Sequence, residues 1–158
     1  MSDNAPTVTF RDATAADLPA IVAMLADDAL GREREAPELP LQSSYYETFA
    51  AIERDPNNAL IVACVGDEVV GALQLSFMPS ISYRGSWRAT IENVRTSNAL
   101  RGQGIGRALV AHAIERARDR GCRIVQLTTD KRRTDAHRFY ERLGFVASHE
   151  GMKLHLVP

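Results

Sequence analysis

Residues 99–108 read "ALRGQGIGRA", with Gly102, Gly104 and Gly106 alternating with other residues between an extended-looking run and a long helical pattern. A glycine-rich turn that opens a helix presents bare backbone N–H groups to an anion. The dinucleotide fingerprint G-x-G-x-x-G would need glycine at position 107, where Arg107 stands, and a nucleotide P-loop needs Lys and then Ser or Thr where Arg107-Ala108 follows Gly106. Neither matches, so the anion must be identified from the rest of the chain.

Downstream, Ile105 to Arg120 reads as a helix with Leu109, Val110, Ala113, Ile114 and Ala117 on one apolar face and Gly121 at its end. "RIVQLTT" is a buried strand, Asp135 to Leu143 a short helix closed by Gly144, and "FVASHEG" with "MKLHLV" alternate like a final antiparallel pair. Upstream, "WRATIENVRT" is a strand. "ALIVACV", Gly66-Asp67 and "EVVGALQLSF" make a hairpin, and Asp55-Pro56-Asn57-Asn58 is a turn. "SSYYETFAAIERD" reads as a helix, "DDALGREREAPELP" as a charged loop and "TVTFRDA" as the first strand. Thr14 caps a helix running to about Ala26, with Asp17 in the capping-box position. The expected fold is a single α/β domain over 7–158: a mixed, mostly antiparallel sheet of about seven strands with about four helices, preceded by a flexible tail over 1–6.

A chain of 158 residues is long enough for one core. Its formal net charge of −1 argues against a nucleic-acid binder, which is normally strongly basic. Cys64 and Cys122 have no metal-ligand spacing and lie in or beside apolar runs, as structural thiols do. No stretch approaches the roughly 20 apolar residues of a membrane span, and "MSDNAP" lacks the layout of a signal peptide, so a cytoplasmic protein is expected.

The order of elements and two motifs resemble the GNAT superfamily of N-acetyltransferases over most of the chain. The family signature (Gln or Arg, two residues, Gly, one residue, Gly or Ala) is matched at every defined position by Arg101-Gly102-Gln103-Gly104-Ile105-Gly106. A second signature, alanine four residues before a tyrosine that leads into an "LGF" turn, is matched by Ala136, Tyr140 and Leu143-Gly144-Phe145. The resemblance implies that the anion is the pyrophosphate of acetyl-coenzyme A, held by Gly102, Gln103, Gly104, Ile105 and Gly106 with Arg101 and Arg107 at the rim. It also implies a sheet splayed at the strand of Glu92, where the Val94 N–H meets the thioester oxygen and the run through Arg95 pairs with the pantetheine arm.

Acetyl transfer to an amine needs a base for the ammonium, a polarised carbonyl and a proton for the leaving thiolate. Glu92 in "ATIENV" is the candidate base, because a carboxylate inside an apolar strand is costly unless paired or functional; the resemblance implies that it acts through a water, and a substrate-anchoring or structural carboxylate is the alternative. By resemblance, Tyr140 is the acid. Where many members carry asparagine three residues before the motif alanine, this chain has Arg133. Lys131, Arg132 and Arg133 either reach the cofactor's phosphates or form a solvated loop. The Tyr45-Tyr46 pair and Phe49 supply a packed face of the second helix with at least one ring, Tyr46 as the candidate, open to the acceptor pocket, and Tyr83, Trp87 and Glu92 are further candidates for lining it. The four histidines, His112, His137, His149 and His155, lack metal spacing, so no metal is expected.

The expected function is transfer of acetyl from acetyl-coenzyme A to a primary amine of a small molecule by direct attack. Acetylation of a protein N-terminus or lysine, or a non-catalytic acyl-coenzyme A sensing module, are the alternatives. An acidic loop (Asp27, Asp28, Glu33, Glu35, Glu38) is compatible with a cationic acceptor. A homodimer through the C-terminal strands fits the family's habits.

Overall fold

The computed structural model describes residues 7–157; the tail expected over 1–6 lies outside the described residues. Five strands form one sheet in chain order: β1 (Val8–Asp12), β2 (Asn58–Val65), β3 (Glu68–Ser80), β4 (Ser86–Thr96) and β5 (Cys122–Leu127). The first four are antiparallel neighbours, and β5 joins β4 in parallel after a helical crossover. The helices are α1 (Leu18–Ala26), α2 (Ala29–Arg32), α3 (Ser43–Arg54), α4 (Ser82–Gly85), α5 (Ile105–Asp119) and α6 (Thr134–Arg142).

The alternation of β2 and β3 sorts their side chains onto two cores. Ile61, Ala63, Leu73, Leu75 and Phe77 face α5, whose Leu109, Val110 and Ala113 are fully buried against them. Val62, Cys64 and Ala72 point the other way, onto Leu18, Ile21 and Val22 of α1 and Phe49 of α3. With both faces covered, the central strands read as near-continuous apolar runs. The Gly66-Asp67 turn joins Val65 to Glu68, with Gly66 at φ 58. Asp17 accepts the Thr14 backbone N–H at 2.8 Å and takes both guanidinium nitrogens of Arg11, at 2.6 and 3.0 Å. The chain enters α1 through a 3-10 turn over Ala15–Asp17.

Two expectations are corrected. The sheet has five strands rather than about seven, because residues 145–157 form no strand. Their apolar alternation is real, but Met152, Leu154 and Leu156 are 94%, 86% and 89% exposed. No layer among the described residues covers them, so alternation alone brings no burial and no ladder. The segment passes the end of β5, where a Cβ on Gly151 would lie 3.7 Å from Thr128 Cγ2, and leaves the outer edge of β5 unpaired. The expected four helices are α1, α3, α5 and α6; the single-turn α2 and α4 are additional. The first sits inside the acidic loop, and the second forms the β3–β4 connection, with Tyr83, Arg84 and Gly85 all left-handed (φ 54, 64 and 73).

Arg11 and Thr14 hold the Asp17 carboxyl below its ordinary pKa, against the opposing effect of burial. A depressed folded-state pKa gives stability above the unfolded value that is lost as pH falls through the folded one. Asp17→Asn should therefore destabilise the protein by about 1.5 kcal/mol near neutral pH. In urea unfolding the gap to wild type should close as pH drops below the unfolded carboxyl range, and a gap independent of pH would contradict this account.

Candidate active site

The site begins where the sheet comes apart. β4 and β5 pair from Trp87–Cys122 to Ile91–Leu127 and no further, so from Glu92 to Thr96 the β5-facing edge of β4 has no strand against it. On the other side β4 stays bonded to β3, but with an extra residue. Between the pairs Gln74–Glu92 and Ala72–Arg95, both Asn93 and Val94 oppose Leu73 alone. Asn93 takes φ 55, a left-handed conformation that asparagine tolerates better than most residues. This bulge turns β4, leaving Val94 against the α5 core and Asn93 and Arg95 on the α1–α3 face.

The glycine turn lies at the mouth of the opening. Gly104 is the N-cap of α5 at φ 80, Gly102 has φ 78, and no side chain caps the helix. The first intrahelical bond runs from the Ala108 N–H to the Gly104 carbonyl at 3.0 Å, so the N–H groups of the first turn are free for an anion. Arg101 and Arg107 are exposed beside them. Gly106 has a different task. A Cβ there would meet Thr96 Cγ2 at 3.4 Å and Phe139 Cζ at 3.6 Å, so its bareness lets α5 come close to β4 and α6.

Helix α6 brings Tyr140 to the same opening. The ring is held edge-on by Phe139 and Phe145, at centroid distances of 5.0 and 5.9 Å. Desolvation raises the phenol pKa, partly offset by the Arg95 and Arg133 guanidinium groups. Arg133 does not lie in a free loop: it is ion-paired with Asp28. Asp27 accepts from the Asn98 side chain, so the acidic loop is tied both to the turn after β4 and to the start of α6. These two carboxylates are thereby engaged within the protein. Glu92 is exposed, not enclosed in an apolar strand as expected, because it sits at the freed edge opposite Gln74.

A cavity of about 340 Å3 lies under the α1–α3 layer, lined by Leu18, Leu25, Phe49 and Leu60 with Gln74, Asn93 and Arg95 at the sheet. Tyr45 lines it, its hydroxyl donating to Glu35 (3.0 Å) and accepting from the Ala36 N–H (3.0 Å), whereas the expected Tyr46 is exposed on the outer face of α3. Helical spacing could not choose between these adjacent rings. The expected Tyr83 lies away from the cavity, under the Arg123 guanidinium at 5.2 Å. Trp87 packs toward Arg120, 5.8 Å from its ring. Asn93 and Gln74 were missed as lining residues; their only sequence signal is polarity within otherwise apolar strands.

Comparison with known proteins agrees with this architecture. The acetyltransferase (GNAT) family model matches residues 25–145. The chain is 34% identical to aminoalkylphosphonate N-acetyltransferase of Salmonella typhimurium over 93% of its own length and 90% of the relative's. It is 31% identical to glucosamine 6-phosphate N-acetyltransferase of Trypanosoma brucei brucei, covering 82% and 86% of the two chains. A crystal structure from Bacillus halodurans C-125, described as a transcriptional regulator, superposes with a TM-score of 0.93 at 62% identity, over 95% of this chain and all 100% of that one. The chain belongs to the GNAT acetyltransferase family and is an N-acetyltransferase. Members of this family generally use acetyl-coenzyme A as cosubstrate.

Gly106 is required for space and not for its backbone angle. Gly106→Ala should leave the urea midpoint within about 0.5 kcal/mol of wild type, and Gly106→Val should lower stability by about 1–3 kcal/mol through overpacking against Phe139. Equal destabilisation by both would mean that backbone conformation is what matters there.

Proposed function

We propose that the protein transfers acetyl from acetyl-coenzyme A to a primary amine of a small molecule by direct attack. The observation that carries this reading is the freed edge of β4 lying next to the uncapped start of α5. An extended pantetheine arm can add to that edge as a strand would, along Val94 and Arg95, while its pyrophosphate meets the turn from Arg101 to Arg107. The residues present fit such a ligand: glycine where the chain must be left-handed, unsatisfied N–H groups, and arginines at the rim.

The chemistry follows from the groups at the opening. The amine nitrogen forms its bond to the thioester carbonyl carbon while the C–S bond breaks, and the Val94 N–H supports the negative charge on the oxygen. The proton lost by the ammonium passes through water to Glu92, whose exposure favours a water-mediated path. The departing thiolate takes its proton from the Tyr140 hydroxyl. A phenol with pKa about 10 is a weaker acid than a thiol near 8.5, so this transfer runs uphill unless the phenolate is stabilised. The guanidinium groups of Arg95 and Arg133 act in that direction. Burial of the phenol keeps it protonated through the neutral range, as an acid must be. The mainly apolar cavity, small at about 340 Å3, suits a small acceptor better than a peptide segment.

Homodimerisation is part of this reading. The outer edge of β5 is unpaired and the alternation Met152, Leu154, Leu156 is exposed, and a second copy of the chain supplies the missing cover for both. Light scattering should then report a dimer, reduced to a monomer by the double substitution Leu154→Asp, Leu156→Asp. A monomeric wild type would remove this part.

The activity is tested by thiol release from acetyl-coenzyme A across a panel of small amines and short peptides. Tyr140→Phe should lower kcat by about 100-fold, within the usual span for a general acid. Glu92→Gln should lower kcat/KM at neutral pH and progressively less as pH rises toward the amine's own pKa. Loss independent of pH would remove the base assignment, and binding of acetyl-coenzyme A without release to any amine would favour a sensing module.

A further inference from the structure

Arg95 is an unusual tenant of the cavity. Its side chain is half-buried on the sheet floor beneath Leu18, Leu25 and Phe49, and desolvation, with the nearby Arg133, pulls its pKa below the ordinary arginine value. Its one hydrogen bond runs from Nη1 to the Val94 carbonyl, at 2.8 Å. Its Nε is buried without a partner, the single buried side-chain nitrogen or oxygen so left among the described residues. No carboxylate lies within 4.0 Å of it among the described residues, and the acid whose field reaches it, Asp28, is engaged by Arg133 and the Gly31 N–H. Glu35, the other acid at the cavity wall, is committed to the Tyr45 hydroxyl and to Arg34.

A guanidinium cannot shed its charge at neutral pH, and an uncompensated charge in an apolar wall is destabilising unless an anion arrives to meet it. The bulge explains how it got there. Were the same sequence to continue from Ile91 in unbroken alternation, Arg95 would lie on the opposite face of β4, toward the α5 core, because the bulge shifts the alternation by one residue. The same irregularity that frees the β4 edge therefore also turns a cation into the acceptor cavity. At about 340 Å3 the cavity is at the small end of the roughly 300–1,000 Å3 typical of small-molecule sites.

We propose that the acceptor is an amine that also carries an oxyanion (carboxylate, phosphonate or phosphate), and that Arg95 reads that anion while the apolar wall holds the short body between the two groups. This rests on the acetyltransferase reading above and adds the chemistry of its substrate. With Nη1 engaged by the Val94 carbonyl and Nε buried, Nη2 is the remaining guanidinium nitrogen, without a hydrogen bond among the described residues, and it is the donor that meets the anion.

The test uses matched acceptors: glycine and β-alanine, aminomethylphosphonate and 2-aminoethylphosphonate, against methylamine and propylamine, with the wild type, Arg95→Gln and Arg95→Lys. Wild type should favour the acid-bearing member of each pair at least tenfold in kcat/KM, chiefly through KM. Arg95→Gln should bring that ratio to near unity, and Arg95→Lys should restore part of it. The carboxylate and phosphonate arms identify which oxyanion fits. A wild-type ratio near one, an unchanged ratio in Arg95→Gln, or a rise confined to the KM of acetyl-coenzyme A would overturn the proposal. Calorimetry with methylphosphonate and acetate on the same proteins separates it from the reading it rests on. Binding by wild type that Arg95→Gln abolishes upholds the subsite even if no amine is acetylated, and absence of binding by wild type counts against it.

Discussion

The structure depends on one interruption: β4 carries an extra residue at Asn93-Val94 just as its partner β5 ends at Leu127. A parallel ladder continued past Ile91 would have satisfied the edge of β4 with protein. Its early end leaves those backbone groups for something else, and a bare polar backbone in a partly enclosed place is tolerated only where water or a ligand can reach it. The opening, the floor of the cavity and the orientation of Arg95 all follow from it.

Around that break the fold is held rigid from both sides. Helix α5 packs on one face through fully buried Leu109, Val110 and Ala113, and α1 with α3 covers the other through Val22 and Phe49. The contacts to Asp27 and Asp28 then bridge from the α1 side to the turn after β4 and to α6. Charge near the opening is therefore unevenly assigned. Asp27, Asp28 and Glu35 of the loop are engaged in internal ties, and the cation on the sheet floor has no carboxylate partner among the described residues. Net sequence charge does not reveal which of these carboxylates are already paired.

Much of the fold was legible because its signals are local. The Gly66-Asp67 turn between two apolar runs, Thr14 with Asp17 at the start of α1, and Gly121 at φ 72 after α5 each follow from the conformational limits of a few adjacent residues. The C-terminal pair was misread for the same reason. Alternation at Met152, Leu154 and Leu156 is a local pattern, while a strand exists only where another strand and a cover are available. Of the candidate side chains, Tyr140 was singled out by its motif, and α6 carries it to the opening. Tyr45 could not be told from Tyr46, since which of two neighbours points inward depends on how α3 docks on the sheet.

The sequence by itself determined the glycine turn, the helix it opens and the tyrosine helix beyond, because backbone sterics and apolar periodicity act over a few residues. Tertiary structure alone decided that Asn93 would bulge, that Arg133 would pair with Asp28 and that Arg95 would line an apolar cavity with no carboxylate partner among the described residues. Those outcomes turn on register and on which partners arrive from distant parts of the chain, and neither is encoded in the spacing of any one segment.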